Sequence, residues 1–389
     1  MKFRCCLWGL ALAFALGTPG ACAAQTLRQA AGKIGLLVGA AANPDLFSEA
    51  AYSQTLARQF NMIEPENAMK WRATEPKEGV FEFRAGDAIV AFAAAHGMKV
   101  RGHNLLWGRY NPAWLTQGRF TPEQLRAIMK RHIQTVVRHY RGRVFAWDVV
   151  NEAFDRKGRL RHTIWYDRPG IGLAGKGTAY IAQAFRWAHE ADPHALLFYN
   201  DYAAEGINAK SDAIFAMVKE FMREGLPIAG VGLQMHVDSQ AEAEANVAAN
   251  MARLEKLGVE VQITEMDVAL PRNGEGKARQ SALAWQAKVY RRVALACAAD
   301  PGCTAFETWG FTDRYSWIPR HTHGEKGAAL LFAADYKPKP ALGAVLDAFA
   351  QALGKNPEIR QERLRFERKV EGAVREGVIP SAVSAPPGN

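Results

Sequence analysis

The feature that most constrains this chain is a rhythm. Eight times, a short apolar run ends in polar or aromatic residues and gives way to a longer stretch of helical composition. The runs are residues 34–41, 60–66, 99–107, 144–152, 195–202, 230–236, 259–267 and 304–311. Runs of this length that are apolar throughout suit strands covered on both faces. The stretches between them carry helix start signals. Thr121-Pro122-Glu123-Gln124 combines an N-cap, a proline at the first helical position and a capping box, and Ser239 to Glu242 repeats the pattern. Gly97 and Gly258 follow helical stretches and precede strands, where a left-handed residue ends a helix.

Eight strands alternating with helices predict an α/β fold, a single-domain (β/α)8 TIM barrel. Right-handed crossovers put every helix outside, and closure leaves no sheet edge to protect. The rival is a doubly wound open sheet, which would carry a glycine-rich phosphate loop after the first strand. The chain has Gly39-Ala40-Ala41-Ala42-Asn43-Pro44 there instead. At 389 residues, 49% hydrophobic, it has the length and apolar content for one barrel with insertions.

Three segments follow. Residues 1–24 read as an export signal: Lys2 and Arg4 are basic, residues 7–17 are apolar and too short to span a bilayer, and Ala21-Cys22-Ala23 is a small-residue cleavage site. This predicts a secreted or periplasmic protein. Lipid attachment at Cys22 is the alternative, opposed by Pro19 where such a signal prefers leucine. Residues 25–355 hold the barrel. Residues 356–389 form a charged tail, read as a short solvated helix over 358–376 and then disorder.

Of five cysteines, only Cys297 and Cys303 lie clear of the signal, with Pro301-Gly302 between them. Export favours a short-loop disulfide, the turn bringing the two side chains together. Two unpaired thiols remain the alternative, and two ligands do not make a metal site. The net charge of +10 comes from scattered lysines and arginines, with no basic block or aromatic-interleaved stripe, so no nucleic-acid partner is expected. It leaves open an acidic cell-wall polysaccharide or simply a solvated surface.

A barrel of this kind does its chemistry at the carboxyl ends of its strands. Those ends carry Glu64, Glu66 and Asn67; His103, Asn104 and Trp107; Asp148, Asn151 and Glu152; Asn200, Asp201 and Tyr202; Gln234 and His236; Glu265 and Asp267; Glu307 and Trp309. Retaining hydrolysis of a glycosidic bond needs two carboxyl groups about 5 to 5.5 Å apart, one protonated and one ionised. Glu152 ends the fourth run and Glu265 the seventh. A structural salt bridge is the ordinary reading of a strand-end glutamate, but here the neighbouring residues supply the rest of a sugar site. Asp267 and His236 are placed to keep Glu265 ionised, while Glu152 must carry its proton near neutrality. Asn151 is placed for the sugar's 2-hydroxyl. Trp107, Trp309 and Trp317 offer faces for pyranose stacking, Glu66, Asn67 and Lys70 suit hydroxyl recognition, and Trp71 and Trp147 are assigned to packing.

These residues give the chain its resemblance: it is similar to the glycoside hydrolase family 10 xylanases, from about Leu46 to Leu353. The matching segments run from Glu64 to Trp71, Arg101 to Trp107, Trp147 to Ala153, Asn200 to Tyr202, Gly232 to His236, Ile263 to Asp267 and Trp309 to Trp317. The resemblance implies an endo-1,4-β-xylanase acting on xylan and xylo-oligosaccharides, without cofactor or metal, as a monomer. It implies Glu152 as acid/base, Glu265 as nucleophile, and His236 with Asp267 as the nucleophile's support. It further implies Glu66, Asn67 and Lys70 at the second glycone subsite, with His103, Trp107, Asn151, Gln234 and Trp309 around the first. Trp317 would lie above the cleft, Asn200 and Tyr202 would face the aglycone side, and Cys297 with Cys303 would match a disulfide seen in many members.

The chain also departs from the family. After Trp107 the usual His-x-Gln-x-Pro-x-Trp run is replaced by Gly108-Arg109-Tyr110-Asn111-Pro112-Ala113-Trp114, so contacts from that loop are open. Met235 stands where a smaller polar residue is common and points to an altered aglycone preference. Two other readings compete: a β-glycanase acting on cellulose or mixed-linkage glucan with the same carboxylates, and a carbohydrate-binding barrel without turnover. The second would not need an ionisable pair.

Overall fold

A computed structural model describes residues 25–272 and 278–376. The expected export signal, and the end of the tail beyond residue 376, lie outside the described residues.

Each of the eight apolar runs forms a strand: β1 (Leu37–Ala42), β2 (Met62–Pro65), β3 (Lys99–Gly102), β4 (Ala146–Asn151), β5 (Leu196–Asp201), β6 (Gly230–Leu233), β7 (Glu260–Val268) and β8 (Cys303–Thr308). Every consecutive pair is parallel, and β8 pairs back onto β1 from Leu37↔Ala305 to Ala40↔Thr308, so the sheet closes. β4 to β8 are buried along their whole length because their inner faces fill the barrel and their outer faces meet helices.

The main helices that follow the strands are α1 (Ala50–Gln59), α2 (Arg84–Ala95), α3 (Pro122–His139), α4 (Ala179–Ala191), α5 (Ala209–Arg223), α6 (Val247–Glu255), α7 (Gln280–Ala299) and α8 (Pro340–Lys355). α3 begins at the expected capping box, Thr121 accepting from the Gln124 backbone while the Gln124 side chain accepts from the Thr121 backbone. Gly97 and Gly258 are left-handed, at φ 58° and 87°, as the ends of α2 and α6 require. Trp71 and Trp147 pack in the core, Trp71 stacked on His132 at 3.6 Å.

The tail departs from expectation. The final helix, α9 (Ile359–Glu376), is not a solvated appendage. Val370 and Val374 cover Ala146, Leu196, Phe198 and Ala229 at the amino-terminal mouth of the barrel, and Ile359 is fully buried. Arg363 is buried too. Its guanidinium donates to the carbonyls of Cys303 at 2.8 Å, Ala298 and Asp300 at 3.0 Å and Cys297 at 3.3 Å, and also to that of Ile34. Glu and Arg interleaving hid this, because one buried arginine can satisfy several carbonyls that an apolar residue would leave bare. Cys297 and Cys303 form the disulfide at the turn those carbonyls belong to.

Candidate active site

Strand register sets the floor of the site. Asn151 at the end of β4 lies beside Asn200 of β5, which lies beside Gly232 of β6. Gly232 is required there, since a Cβ would stand 2.2 Å from Oδ1 of Asn200. Freed of that clash, the Asn200 amide donates to Oε1 of Glu265 at 2.7 Å and to Oδ1 of Asn151 at 3.0 Å. Gln234 Nε2 donates to Asn151 at 3.2 Å and to Oε1 of Glu152 at 3.3 Å. Glu152 and Glu265 are thus joined by one short run of amides, and both line a single cleft of about 790 Å3.

The two carboxyls differ in surroundings. Glu265 is buried and meets His236, whose Nε2 is 3.1 Å from Oε2 while its Nδ1 is 3.0 Å from Oδ2 of Asp267. Burial alone would raise the carboxyl of Glu265. The hydrogen bond from His236, the nearby imidazoles of His103 and His236, and the Asn200 amide outweigh it and hold Glu265 down to about 2. His236 is held well above its ordinary value, because Asp267 and Glu265 together overcome the cost of burying its charge. Trp317 Nε1 also donates to Asp267, at 2.8 Å. Glu152 stands just past the end of β4 at φ 55°, half-buried, its backbone N–H donating to the Asn200 carbonyl at 2.9 Å. That left-handed turn lifts its side chain out of the strand and into the cleft.

Around the carboxyls stand most of the expected contacts. Glu66, Asn67, Lys70, His103, Trp107, Asn151, Tyr202, Gln234, His236, Asp267, Trp309 and Trp317 all line the cleft. Lys70 is nearly buried, donates to Asn67 at 3.0 Å and has Trp107 and Trp309 ring centres each 5.3 Å from Nζ. Burial lowers its pKa, against the pull of Glu265, Glu66 and two further carboxylates. Asn151 spends its oxygen on Asn200 and Gln234, leaving its amide nitrogen without a partner among the described residues.

Three expectations need correction. Asn200 does not reach the cleft; it is fully buried and braces Glu265 from below. Met235, at 1% exposure, does not line the cleft either. Glu64, Asp148 and Glu307 are strand-end carboxylates that also stay beneath the site, fully buried. Arg101 binds the first two at 2.6 and 2.5 Å, and His103 Nδ1 lies 2.8 Å from Asp148. Successive strand residues face opposite ways, so residues two apart occupy different layers of a barrel interior, and Glu64 lies below where Glu66 lies in the cleft. The loop where the chain departs from the family, whose contacts the sequence left open, contributes Tyr110, which stacks on Trp107 with ring centres 5.2 Å apart and planes 7° apart, and Lys70 Nζ lies 4.6 Å from its ring centre.

Other cleft residues had no strand-end signal because they sit on longer connections, among them Arg109, Arg156, Asp238, Glu242 and Arg320. The one cluster among the described residues with metal-ligand spacing is Glu64, His103 and Glu265, with ligand atoms within 4.8 Å. Each of the three residues already has a partner among Arg101, Asp148, His236 and Asn200, although Glu64 Oε1 itself has none.

Comparison with known proteins agrees with this geometry. The chain is 39% identical over 330 residues to endo-1,4-beta-xylanase B of Thermotoga neapolitana, covering 84% of this chain and 92% of that one. It is 38% identical to an endo-1,4-beta-xylanase of Agaricus bisporus, covering 85% and 96%. Native xylanase 10B of Thermotoga maritima superposes with a TM-score of 0.79 at 38% identity, over 85% of this chain and all of that one. The corresponding enzyme of Thermotoga petrophila, solved with xylobiose, gives the same score. The profile of glycosyl hydrolase family 10 matches residues 26–348, and the chain belongs to that family.

Proposed function

We propose that the protein is an exported, monomeric endo-1,4-β-xylanase that cleaves internal bonds of xylan with retention. The observation that carries this reading is the asymmetry of the two cleft carboxyls. Glu265 is held ionised by His236, and Glu152, across the amide run, is not part of that charged pair.

In this mechanism Glu265 attacks the anomeric carbon as the glycosidic C–O bond breaks, and the proton of Glu152 passes to the leaving oxygen. Water then attacks the glycosyl ester. Glu152 takes the water's proton, and Glu265 leaves as a carboxylate. The free amide of Asn151 supports contact with the sugar's 2-hydroxyl, which strengthens as positive charge builds at the ring. Trp107, Trp309 and Trp317 supply apolar faces, and Glu66, Asn67 and Lys70 supply hydroxyl partners.

Export rests on residues 1–24 alone; among the described residues no helix is long and apolar enough to cross a membrane.

Proton NMR of xylotetraose hydrolysis tests the reading: the β anomer of the new reducing end is expected first, and an α product first would overturn retention. Glu265→Ala is expected to abolish turnover on all substrates. Glu152→Ala should spare aryl xylosides with good leaving groups, which need little protonation.

A further inference from the structure

Glu152 holds a left-handed backbone conformation, φ 55°, that a residue with a Cβ keeps only where its surroundings impose it. Two hydrogen bonds to β5 do so. The N–H of Glu152 donates to the Asn200 carbonyl at 2.9 Å, and the next N–H, that of Ala153, donates to the hydroxyl oxygen of Tyr199, also at 2.9 Å. A register shift of β4 against β5, between Asp148 and Val150, sets Val150 opposite Tyr199 and brings that hydroxyl within reach.

The hydroxyl of Tyr199 is itself held in place. It donates to Oδ2 of Asp201 at 2.6 Å, and Oδ1 of Asp201 pairs with Nζ of Lys210, from the first turn of α5, at 2.6 Å. All three side chains are fully buried, and none lines the cleft. A buried ammonium is costly without a counter-charge, so Lys210 is committed to Asp201. With its proton committed to that carboxylate, the Tyr199 oxygen presents a lone pair to the Ala153 N–H.

We infer that Tyr199, Asp201 and Lys210 are positioning residues for Glu152: the buried ion pair holds the Tyr199 hydroxyl on the Ala153 N–H, and that bond fixes the turn from which Glu152 reaches the leaving oxygen. The inference rests on the reading of Glu152 as acid/base and deepens it. Asp201 also accepts from the Tyr202 N–H at 2.9 Å, and Lys210 Nζ lies 3.9 Å from the Tyr202 ring centre. Tyr199→Phe is therefore the sharper probe, because it leaves both contacts of that cleft residue in place.

Two glycosides with one glycone test it: phenyl β-xylobioside, whose leaving group needs protonation, and dinitrophenyl β-xylobioside, whose leaving group does not. Tyr199→Phe is expected to lower kcat/KM on the phenyl glycoside roughly ten- to a hundredfold, and on the dinitrophenyl glycoside by less than about threefold. Asp201→Asn, which keeps the shape and removes the charge, is expected to show the same dependence on leaving group. A residue that only supported the fold would lower both rates alike. Equal losses on the two glycosides, or no loss on either, would overturn the proposal. Equal losses for Glu152→Ala would instead overturn the acid/base reading, so the two failures are distinct.

Discussion

His236 presents Nε2 to Oε2 of Glu265 at 3.1 Å. Because its other nitrogen is held by Asp267, the imidazole cannot turn away, and its charge falls on a carboxylate whose burial would otherwise favour protonation.

Replacing His236 with asparagine removes that charge and leaves the burial. The pKa of Glu265 is then expected to climb from about 2 toward or past the ordinary 4.5, bringing an acid limb of kcat/KM into the measurable range. A pH profile of the variant with no such limb would show that His236 does not set the ionisation of Glu265.

Asn200→Ala tests the bracing role. Losing a charge-assisted hydrogen bond to Glu265, with the oxygen of Asn151 also released, is expected to lower kcat roughly ten- to a hundredfold. KM should change little because Asn200 does not line the cleft. A rise in KM with kcat preserved would return Asn200 to the role of a sugar contact.

Arg363→Met probes the clasp beneath the barrel. Carbonyls of Ile34, Ala298 and Cys303 would lose a buried donor, at a cost of roughly 3 kcal/mol or more. Urea unfolding should show a lower midpoint, while kcat at room temperature stays near that of the parent. An unchanged midpoint would mean that the hydrogen bonds of Arg363 add nothing to stability.

Glu260 lies at the opposite end of the barrel from the cleft, with one oxygen accepting from Thr304 at 2.7 Å and the other unpaired. Burial, reinforced by Glu367 and Glu371, pushes its pKa up to about 8. The native state therefore keeps a proton that the unfolded chain has already lost, so stability is full below the ordinary carboxylate value and falls as pH rises to about 8. The slope from this group is at most about 1.4 kcal/mol per pH unit. Glu260→Gln should remove that slope and raise stability at alkaline pH. Parallel stability curves for parent and variant would refute the assignment.

Much of this was legible in the sequence because it is local. A closed barrel repeats one unit, so apolar runs of strand length with helix caps between them declared all eight strands in order. Chemistry gathered at run ends pointed to Glu152, Glu265, His236 and Asp267, each close to the end of its own strand. Other facts depend on which layer of the interior a side chain occupies, or on which distant segment faces it. Glu64 and Glu66 look alike as residues near a strand end, yet one is paired with Arg101 in the core and the other faces the cleft. Gly108 reads as an ordinary loop glycine, yet a Cβ there would stand 2.7 Å from Cγ2 of Thr163, on another connection. Arg363 reads as one more surface charge until the carbonyls of a turn more than fifty residues away surround it. Side-chain period and capping are written along the chain, whereas burial of a charge is settled by neighbours that only the closed barrel assembles.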